Sequence, residues 1–433
     1  MPQPNILFLF PDQHRFDWIG SNPDIPVRTP VLDRLEAGGT RFTHAVTPSP
    51  LCAPARACLA SGKEYVRCGV SGNEVDYPLD QPTFYQTLRD GGYHVMGCGK
   101  FDLHKPTHDW GLDGKRQIDE WGFSDGIDNE GKMDGTNSGK DAPKGPYLQF
   151  LEERGLREAH VADFNSRNNA STFPTPLPDA AYCDNWIGNN GIELIRSAPE
   201  SEPWFLQVNF TGPHNPWDIT QGMTELYSDE QFPPAFEHHQ FDSGTINAVR
   251  QNYSAMVENI DLLSGLLINE VEKRGELDNT LIVFSSDHGE MLGDHNLWGK
   301  THPHQASVGV PLVIKGPNVQ RALTCTLPTT ILDLTATFLE FAGLTVPEEM
   351  DSHSMKPLLN GETASHREHV FSAVKNWQMV SDGKLKLISG YRENDFLFDL
   401  QNDPMESTNL AVEKPDEVER LGQYLSRSEL SAE

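Results

Sequence analysis

Short apolar runs, each bounded by polar or turn-forming residues, punctuate the chain: NILFLF at 5–10, YHVMGCG at 93–99, WFLQVNF at 204–210, LIVFSS at 281–286 and VPLVIKG at 310–316. Runs this short, apolar at successive rather than alternate positions, suit strands covered on both faces. Between them the apolar period lengthens to that of a helix, in VLDRLEAGG (31–39), TFYQTLRDGG (83–92) and NYSAMVENIDLLSGLLINEVEKRG (252–275). In the last of these Met256, Ile260, Leu263, Leu267 and Val271 share one face, and Gly275 stands where a C-terminal stop is expected. Strands alternating with helices predict an α/β fold built on a large, mostly parallel sheet sandwiched by helices.

Two stretches break that rhythm. Residues 105–180 are rich in Gly, Asp, Asn and Lys, with little apolar periodicity beyond PYLQFLEERG, and read as long surface insertions. After MKPLLNGE come shorter alternating segments, HVFSAV, WQMVSD, KLKLIS and DFLFDL, then the polar QNDPMESTNL and an amphipathic helix. They predict a small antiparallel sheet with a C-terminal helix, and hence a division into residues 1–364 and a C-terminal α+β subdomain over 365–433.

Charge narrows the partners. A formal net charge of −29 over 433 residues repels phosphate backbones and anionic lipid, so neither nucleic acid nor a membrane surface is an expected partner. An anionic substrate then needs a local cationic pocket. No apolar run approaches the roughly 20 residues of a membrane span, and no basic leader precedes NILFLF. The expectation is a soluble, cytoplasmic protein, or a periplasmic or secreted one if a leader has been trimmed. The six cysteines form no C-x-x-C pair and are expected to be free thiols, mostly buried.

The strand ends carry the chemistry. The first four runs are followed by D-Q-H, K-x-x-x-H, T-G-P-H and D-H-G, and in open α/β sheets ligands sit beyond the carboxyl ends of the strands. Asp12 and Gln13 close the first strand, and Asp287 and His288 close the late one. Two carboxylates with an amide oxygen make a site for a hard divalent cation, Ca²⁺, Mg²⁺ or Mn²⁺. In LCAPARACLASG (51–62), Pro54 suits the first turn of a helix whose N-terminus would face an anion near Cys52, and Arg56 follows one turn later.

Cys52-Ala-Pro-Ala-Arg56, closed by Ser61-Gly62, resembles the modification sequence of the type I, formylglycine-dependent sulfatases of the alkaline-phosphatase-like superfamily, and the resemblance runs from NILFLFPDQ to FDLQNDPMESTNL. It implies that Cys52 is converted by a formylglycine-generating enzyme to an aldehyde. Its hydrate attacks sulfur with one hydroxyl and expels sulfate with the other. It also implies that Asp12, Gln13, Asp287 and His288, with residue 52, hold one cation, most readily Ca²⁺, and that Asp287 acts as base. Arg56 holds the modified side chain. Lys100 in GKFDLHK, His104, His214 in TGPHNPW and Lys300 in GDHNLWGK resemble the sulfate-binding and leaving-group residues, and Asn73 in SGNEVDYP resembles an asparagine that contacts the transferred group. Asn73 is equally what a turn after glycine takes.

Two departures from the family pattern stand out. Many sulfatases have a second Asp where this chain has Gln13, and many separate the lysine and histidine by one residue where three lie between Lys100 and His104. Phosphonate monoester hydrolases also look like D-Q at the first strand, so a phosphonate monoester or phosphodiester is the alternative to a sulfate monoester. A sulfated small molecule or glycan is the expected substrate, with Trp110, Trp121, Trp186 and Trp217 either stacking on sugar at the rim or anchoring loops.

Overall fold

The computed structural model describes residues 3–430. An eight-stranded sheet runs in the order Asp125–Asp128, His94–Gly99, Trp204–Asn209, Asn5–Leu9, Thr280–Ser285, Leu312–Lys315, Thr40–Phe42, Leu323–Cys325. The first five are mutually parallel, and Leu312–Lys315 runs antiparallel to both its neighbours. All five apolar runs are therefore strands of one sheet, as their patterning predicts.

Alternation along each strand divides the core into two layers. Ile6 and Phe8, with Phe205 and Val283, face Phe84 and Phe338 of the helices Phe84–Asp90 and Asp333–Phe341, beside the helix Cys52–Ser61. Leu7 and Leu9, with Leu206 and Ile282, face Ile187 of the helix Cys183–Ser197 and Ile260, Leu263 and Leu267 of the helix Ser243–Lys273. That last helix starts nine residues before the predicted segment, because the Asp242 side chain accepts the Thr245 amide at 3.0 Å and caps it.

Residues 105–180 are more ordered than expected. They contain the edge strand Asp125–Asp128 and the helices Lys132–Ser138, Pro146–Glu152 and Arg157–Ser166.

At the C-terminus Val370–Val374, Trp377–Ser381, Leu385–Tyr391 and Asn394–Asp399 form a sequential antiparallel sheet. One face, with Val374, Met379 and Ile388, packs on Val46, Leu51 and Val308 of the larger body. The other, with Val380, Leu387 and Leu397, is covered by Leu421 and Leu425 of the helix Pro415–Leu430. Among the described residues no helix is long and apolar enough to cross a membrane, and all six cysteines are free and buried.

Candidate active site

Four neighbouring parallel strands, His94–Gly99, Trp204–Asn209, Asn5–Leu9 and Thr280–Ser285, end on the same side of the sheet, and a chemically distinctive loop follows each. The first passes directly into Lys100. Gly99 there has φ 103°, and a Cβ on it would overlap the Asn209 carbonyl oxygen, so only glycine lets the two strand ends lie this close. The third leads to Asp12 and to Gln13, which holds a left-handed backbone (φ 68°) uncommon for a side chain of its size. Its backbone N–H donates to Asp287 Oδ1 at 3.0 Å, linking the first and last of the predicted ligand loops.

The helix Cys52–Ser61 points its N-terminus into this convergence, and every one of its residues is buried. Leu51, at its N-cap, has no side chain able to accept an amide; Asn73 Oδ1 does so instead, taking Ala53 N at 3.0 Å. Cys52 Sγ lies 3.8 Å from Asp12 Oδ1, 3.3 Å from His288 Nε2 and 3.0 Å from Lys300 Nζ. Arg56, one turn along, bonds Asp287 Oδ2 at 3.0 Å and the Lys100 carbonyl at 2.5 Å, and its guanidinium lies 3.5 Å from Asp12 Oδ2. Lys100 Nζ pairs with Asp12 and, at 3.1 Å, with Asp102.

These neighbours set the charges. Burial pushes the Asp12 carboxyl up, but the ammonium of Lys100 and the charges beyond it hold it well below the usual carboxylate range. For Cys52 burial and Asp12 raise the thiol pKa, and Lys100, Lys300 and His288 overcome both, so that it lies well below that of a free thiol. Burial alone would lower Lys100, and Asp102 and Asp12 keep it charged. His214 is lowered, first by desolvation and then by Lys300, and its Nδ1 is engaged with the Asn215 carbonyl at 2.5 Å.

A cavity of about 310 Å³ opens above Cys52, lined by Gln13, Asn73, Lys100, His214 and Lys300 together with Lys105, Lys132, Asp134 and Asn137. The ligating atoms of Asp12, Cys52, Asp287 and His288 all lie within 4.8 Å of one another. Two buried carboxylates and an imidazole at that spacing, with the Gln13 amide beside them, fit a hard divalent cation. The position of Cys52 fits the modification as well: its thiol stands where the hydroxyls of a hydrated aldehyde would meet the same ligands and the Lys300 ammonium.

The structure thus brings together Asp12, Gln13, Cys52, Arg56, Asn73, Lys100, His214, Asp287, His288 and Lys300. It places His104 elsewhere. The ring is 2% exposed, its Nε2 lies 2.8 Å from Asp128 Oδ2, its Nδ1 3.1 Å from Thr107 Oγ1, and it is packed against Trp110 and Trp121. The two extra residues after Lys100 carry it past the cavity, and Lys105, the next residue, lines the wall instead. Lys105 Nζ bonds Asp102 at 2.9 Å and Asp134 at 2.8 Å. Trp110, Trp121, Trp186 and Trp217 are all buried and none lines the cavity; Trp217 Nε1 anchors the Asn169 carbonyl at 2.8 Å. His14 and Arg15 are also buried in structural contacts, to the Trp18 carbonyl and to Asp17 and Asp294.

Sequence reasoning missed Lys105, Lys132 and Glu290. Lys105 was visible in GKFDLHK as a cation one residue beyond the expected histidine. Lys132 is held by Asp218 at 2.8 Å and Tyr182 at 2.9 Å, a pairing no local pattern announces.

Residues 4–344 match the family model described as Sulfatase, and residues 293–429 match the model described as N-sulphoglucosamine sulphohydrolase, C-terminal. An arylsulfatase of Clostridium perfringens is 27% identical over 438 residues, covering 94% of this chain and 90% of that one. An N-acetylglucosamine-6-O-sulfatase of Bacteroides thetaiotaomicron is 26% identical over 480 residues, covering 94% and 82%. The fold is shared with the phosphonate monoester hydrolase of Agrobacterium radiobacter, at a TM-score of 0.81 and 24% identity, covering 99% of this chain and 95% of that one.

Proposed function

The chain belongs to the sulfatase family and is a sulfuric ester hydrolase, and on that premise we propose that it cleaves a sulfate monoester of a carbohydrate, using residue 52 as formylglycine and one divalent cation, Ca²⁺ in preference to Mg²⁺ or Mn²⁺. The observation that carries this reading is the surroundings of Cys52, at a buried helix N-terminus within hydrogen-bonding reach of His288 and Lys300 and beside Asp12.

The chain's own residues divide the work. Asp12, Gln13, Asp287 and His288 would hold the cation, which when bound polarises a sulfuryl oxygen and favours the ionised nucleophile. A formylglycine at 52, supplied by a formylglycine-generating enzyme, offers a hydrated aldehyde in place of a thiol, and Arg56 orients it through Asp287 and Asp12. Lys100, Lys105 and Lys300 present ammonium groups to the equatorial oxygens of the transferring group, where negative charge is fixed. His214, kept uncharged and donating Nδ1–H to the Asn215 carbonyl, presents Nε2 as an acceptor. With His214 an acceptor, the proton for the leaving alcohol falls to a lysine of the cavity wall, while Lys300, 3.0 Å from Cys52 Sγ, serves the nucleophile's side.

A carbohydrate alcohol is favoured by the polar side chains of Asp134 and Asn137 in the cavity lining, which can bond hydroxyls, and by the activity of the Bacteroides relative. We assign residues 1–364 to the catalytic domain and 365–433 to a subdomain that props the loop carrying Lys300. A phosphonate monoester remains the second reading, favoured by the amide at Gln13 in place of a carboxylate.

Mass spectrometry of the tryptic peptide FTHAVTPSPLCAPAR tests the maturation directly. Material from a host able to convert it carries an aldehyde at residue 52, and a free thiol in active enzyme refutes the reading. Hydrolysis of sulfated oligosaccharides should exceed that of a phosphonate ester, and the reverse order selects the second reading.

A further inference from the structure

Glu290 is fully buried and touches two residues of the site without lining its cavity. One oxygen, Oε2, accepts from Gln13 Nε2. The other, Oε1, accepts the backbone amides of Leu292 at 3.0 Å and Gly299 at 2.6 Å. Among the described residues Glu290 makes no ion pair, so its donors are all amides. A buried carboxylate with this partner set organises what it touches rather than balancing a neighbouring cation.

Through Gln13 it bears on the Gln13–Lys300 contact. An amide side chain can be placed with its oxygen and nitrogen exchanged, and the hydrogen-bond network decides between the two. Here Gln13 Nε2 meets Glu290, and Gln13 Oε1 accepts from Lys300 Nζ at 2.7 Å. The exchanged form would set oxygen against carboxylate and NH₂ against ammonium, two repulsions in place of two hydrogen bonds. The rest of Gln13 is fixed too, by Asp287 on its N–H and by the Tyr253 hydroxyl on its carbonyl at 2.7 Å. On the other side Glu290 closes its own loop. With Met291 N bonded to the Gly299 carbonyl at 2.9 Å, the pinch delivers the next residue, Lys300, to Gln13 and to Cys52.

We propose that Glu290 is a positioning residue that holds the Gln13 amide with its oxygen toward the cation site and Lys300, so that the Gln13–Glu290 pair supplies what a second carboxylate at position 13 would otherwise supply. The proposal rests on the reading of Asp12, Gln13, Asp287 and His288 as the cation site. It places one negative charge behind the ligand rather than on it, and makes the two side chains interdependent.

That interdependence is measurable by exchanging them. Glu290→Gln, Gln13→Glu and the double variant Gln13→Glu/Glu290→Gln would be titrated with Ca²⁺ by calorimetry after chelator treatment, with thermal melts in parallel. Glu290→Gln sets an NH₂ group near that of Gln13 and leaves the ligand amide free to turn, so Ca²⁺ affinity should fall at least about tenfold. Gln13→Glu sets two carboxylates together and should lower affinity or the melting temperature at least as much. The double variant restores a donor between the two side chains and should recover binding to the level of the unaltered protein or tighter. Asp287→Asn tests the cation site itself. If Asp287→Asn binds Ca²⁺ as the unaltered protein does, both the cation site and the proposal fall. If Asp287→Asn loses binding while Glu290→Gln keeps it, or if the double variant is no better than the poorer single one, only the Glu290 assignment falls.

Discussion

His104 Nε2 lies 2.8 Å from Asp128 Oδ2, behind the cavity wall, and both side chains are almost wholly buried. The pair joins the loop after the strand His94–Gly99 to the edge strand Asp125–Asp128. Removing one partner of a buried pair strands the other, at a cost of about 3–5 kcal/mol. His104→Ala should therefore lower the melting temperature markedly while leaving kcat, measured well below the transition, within a few-fold. A stable variant with kcat reduced a hundredfold would return His104 to the reacting group.

Lys105 is expected to behave in the opposite way. Its ammonium stands on the cavity wall between Asp102 and Asp134, and those carboxylates outweigh the desolvation that would otherwise lower its pKa, so it stays charged. In Lys105→Met, Asp102 keeps its contact with Lys100 at 3.1 Å, so the loss of stability is limited. kcat/KM for a sulfate ester should drop about 10–100-fold, the size expected when one charge-assisted contact to the transferring group is lost. Steady-state kinetics beside a thermal melt reads both, and an unchanged kcat/KM would make Lys105 a wall residue only.

Cys52→Ala should abolish turnover, by at least about a thousandfold, with a melting temperature close to that of the unaltered protein. Alanine suits the helix start and is smaller than the thiol it replaces, and the Asn73 cap on Ala53 remains. Substantial residual activity in that variant would remove residue 52 from the role of nucleophile.

The strands were legible because burial on both faces writes an unbroken apolar run, as in NILFLF and WFLQVNF. The strand-end residues were legible for the same reason: once a run ends, the next polar residue lies at the carboxyl edge. Asp12, Lys100 and Asp287 follow that rule. The helix Lys132–Ser138 does not, because KMDGTNS has no apolar stripe, and Lys132 at its start is tied to Asp218 and Tyr182 from distant segments. Sequence separation also hid Glu290, 277 positions from Gln13. His104 misled because spacing from Lys100 gives no direction, and the intervening Asp102 turns the chain with a left-handed φ of 55°.

Stability should depend on pH through Glu130, away from the reacting group. Its carboxylate is buried and accepts Tyr147 N at 3.3 Å and Leu148 N at 2.8 Å, anchoring the helix Pro146–Glu152. Burial nevertheless pushes its pKa from the ordinary 4.5 up to about 7, with Asp128 adding to the rise. The folded state thus binds the proton more tightly than the unfolded state. Stability from this group is full below about 4.5 and is lost as pH rises through about 7. Glu130→Gln keeps one acceptor, for Leu148 N, and turns its NH₂ toward Tyr147 N, so it should melt below the unaltered protein at pH 5 and narrow or reverse that gap by pH 8, by on the order of 2 kcal/mol. Parallel pH profiles for the two proteins would remove Glu130 from that dependence.

The last prediction concerns the loop that delivers Lys300. Thr301, immediately after it, has φ 71°, a costly backbone conformation for a β-branched residue, and is held on both sides. Its N–H donates to the Pro50 carbonyl at 2.9 Å and its own carbonyl accepts from Trp377 Nε1 at 3.0 Å. Further along, Lys386 Nζ donates to the Pro303 carbonyl at 2.8 Å and Glu406 accepts Gln305 N at 2.6 Å. Trp377, Lys386 and Glu406 all belong to the C-terminal segment, so that segment sets the conformation of a loop whose lysine reaches Cys52. Trp377→Phe keeps the ring that packs with Met379 and Ile388 and deletes a single donor. The lost hydrogen bond costs about 1 kcal/mol of stability. Freed on that side, the loop relaxes from its strained φ and draws Lys300 away from residue 52 and the transferring group, so kcat should fall about tenfold while KM changes little. Since Lys300 is then mispositioned rather than absent, Trp377→Phe should retain more activity than Lys300→Ala, and pairing the two substitutions should add almost nothing to the loss from Lys300→Ala alone. Fully additive losses would show that Trp377 acts on the fold and not through Lys300.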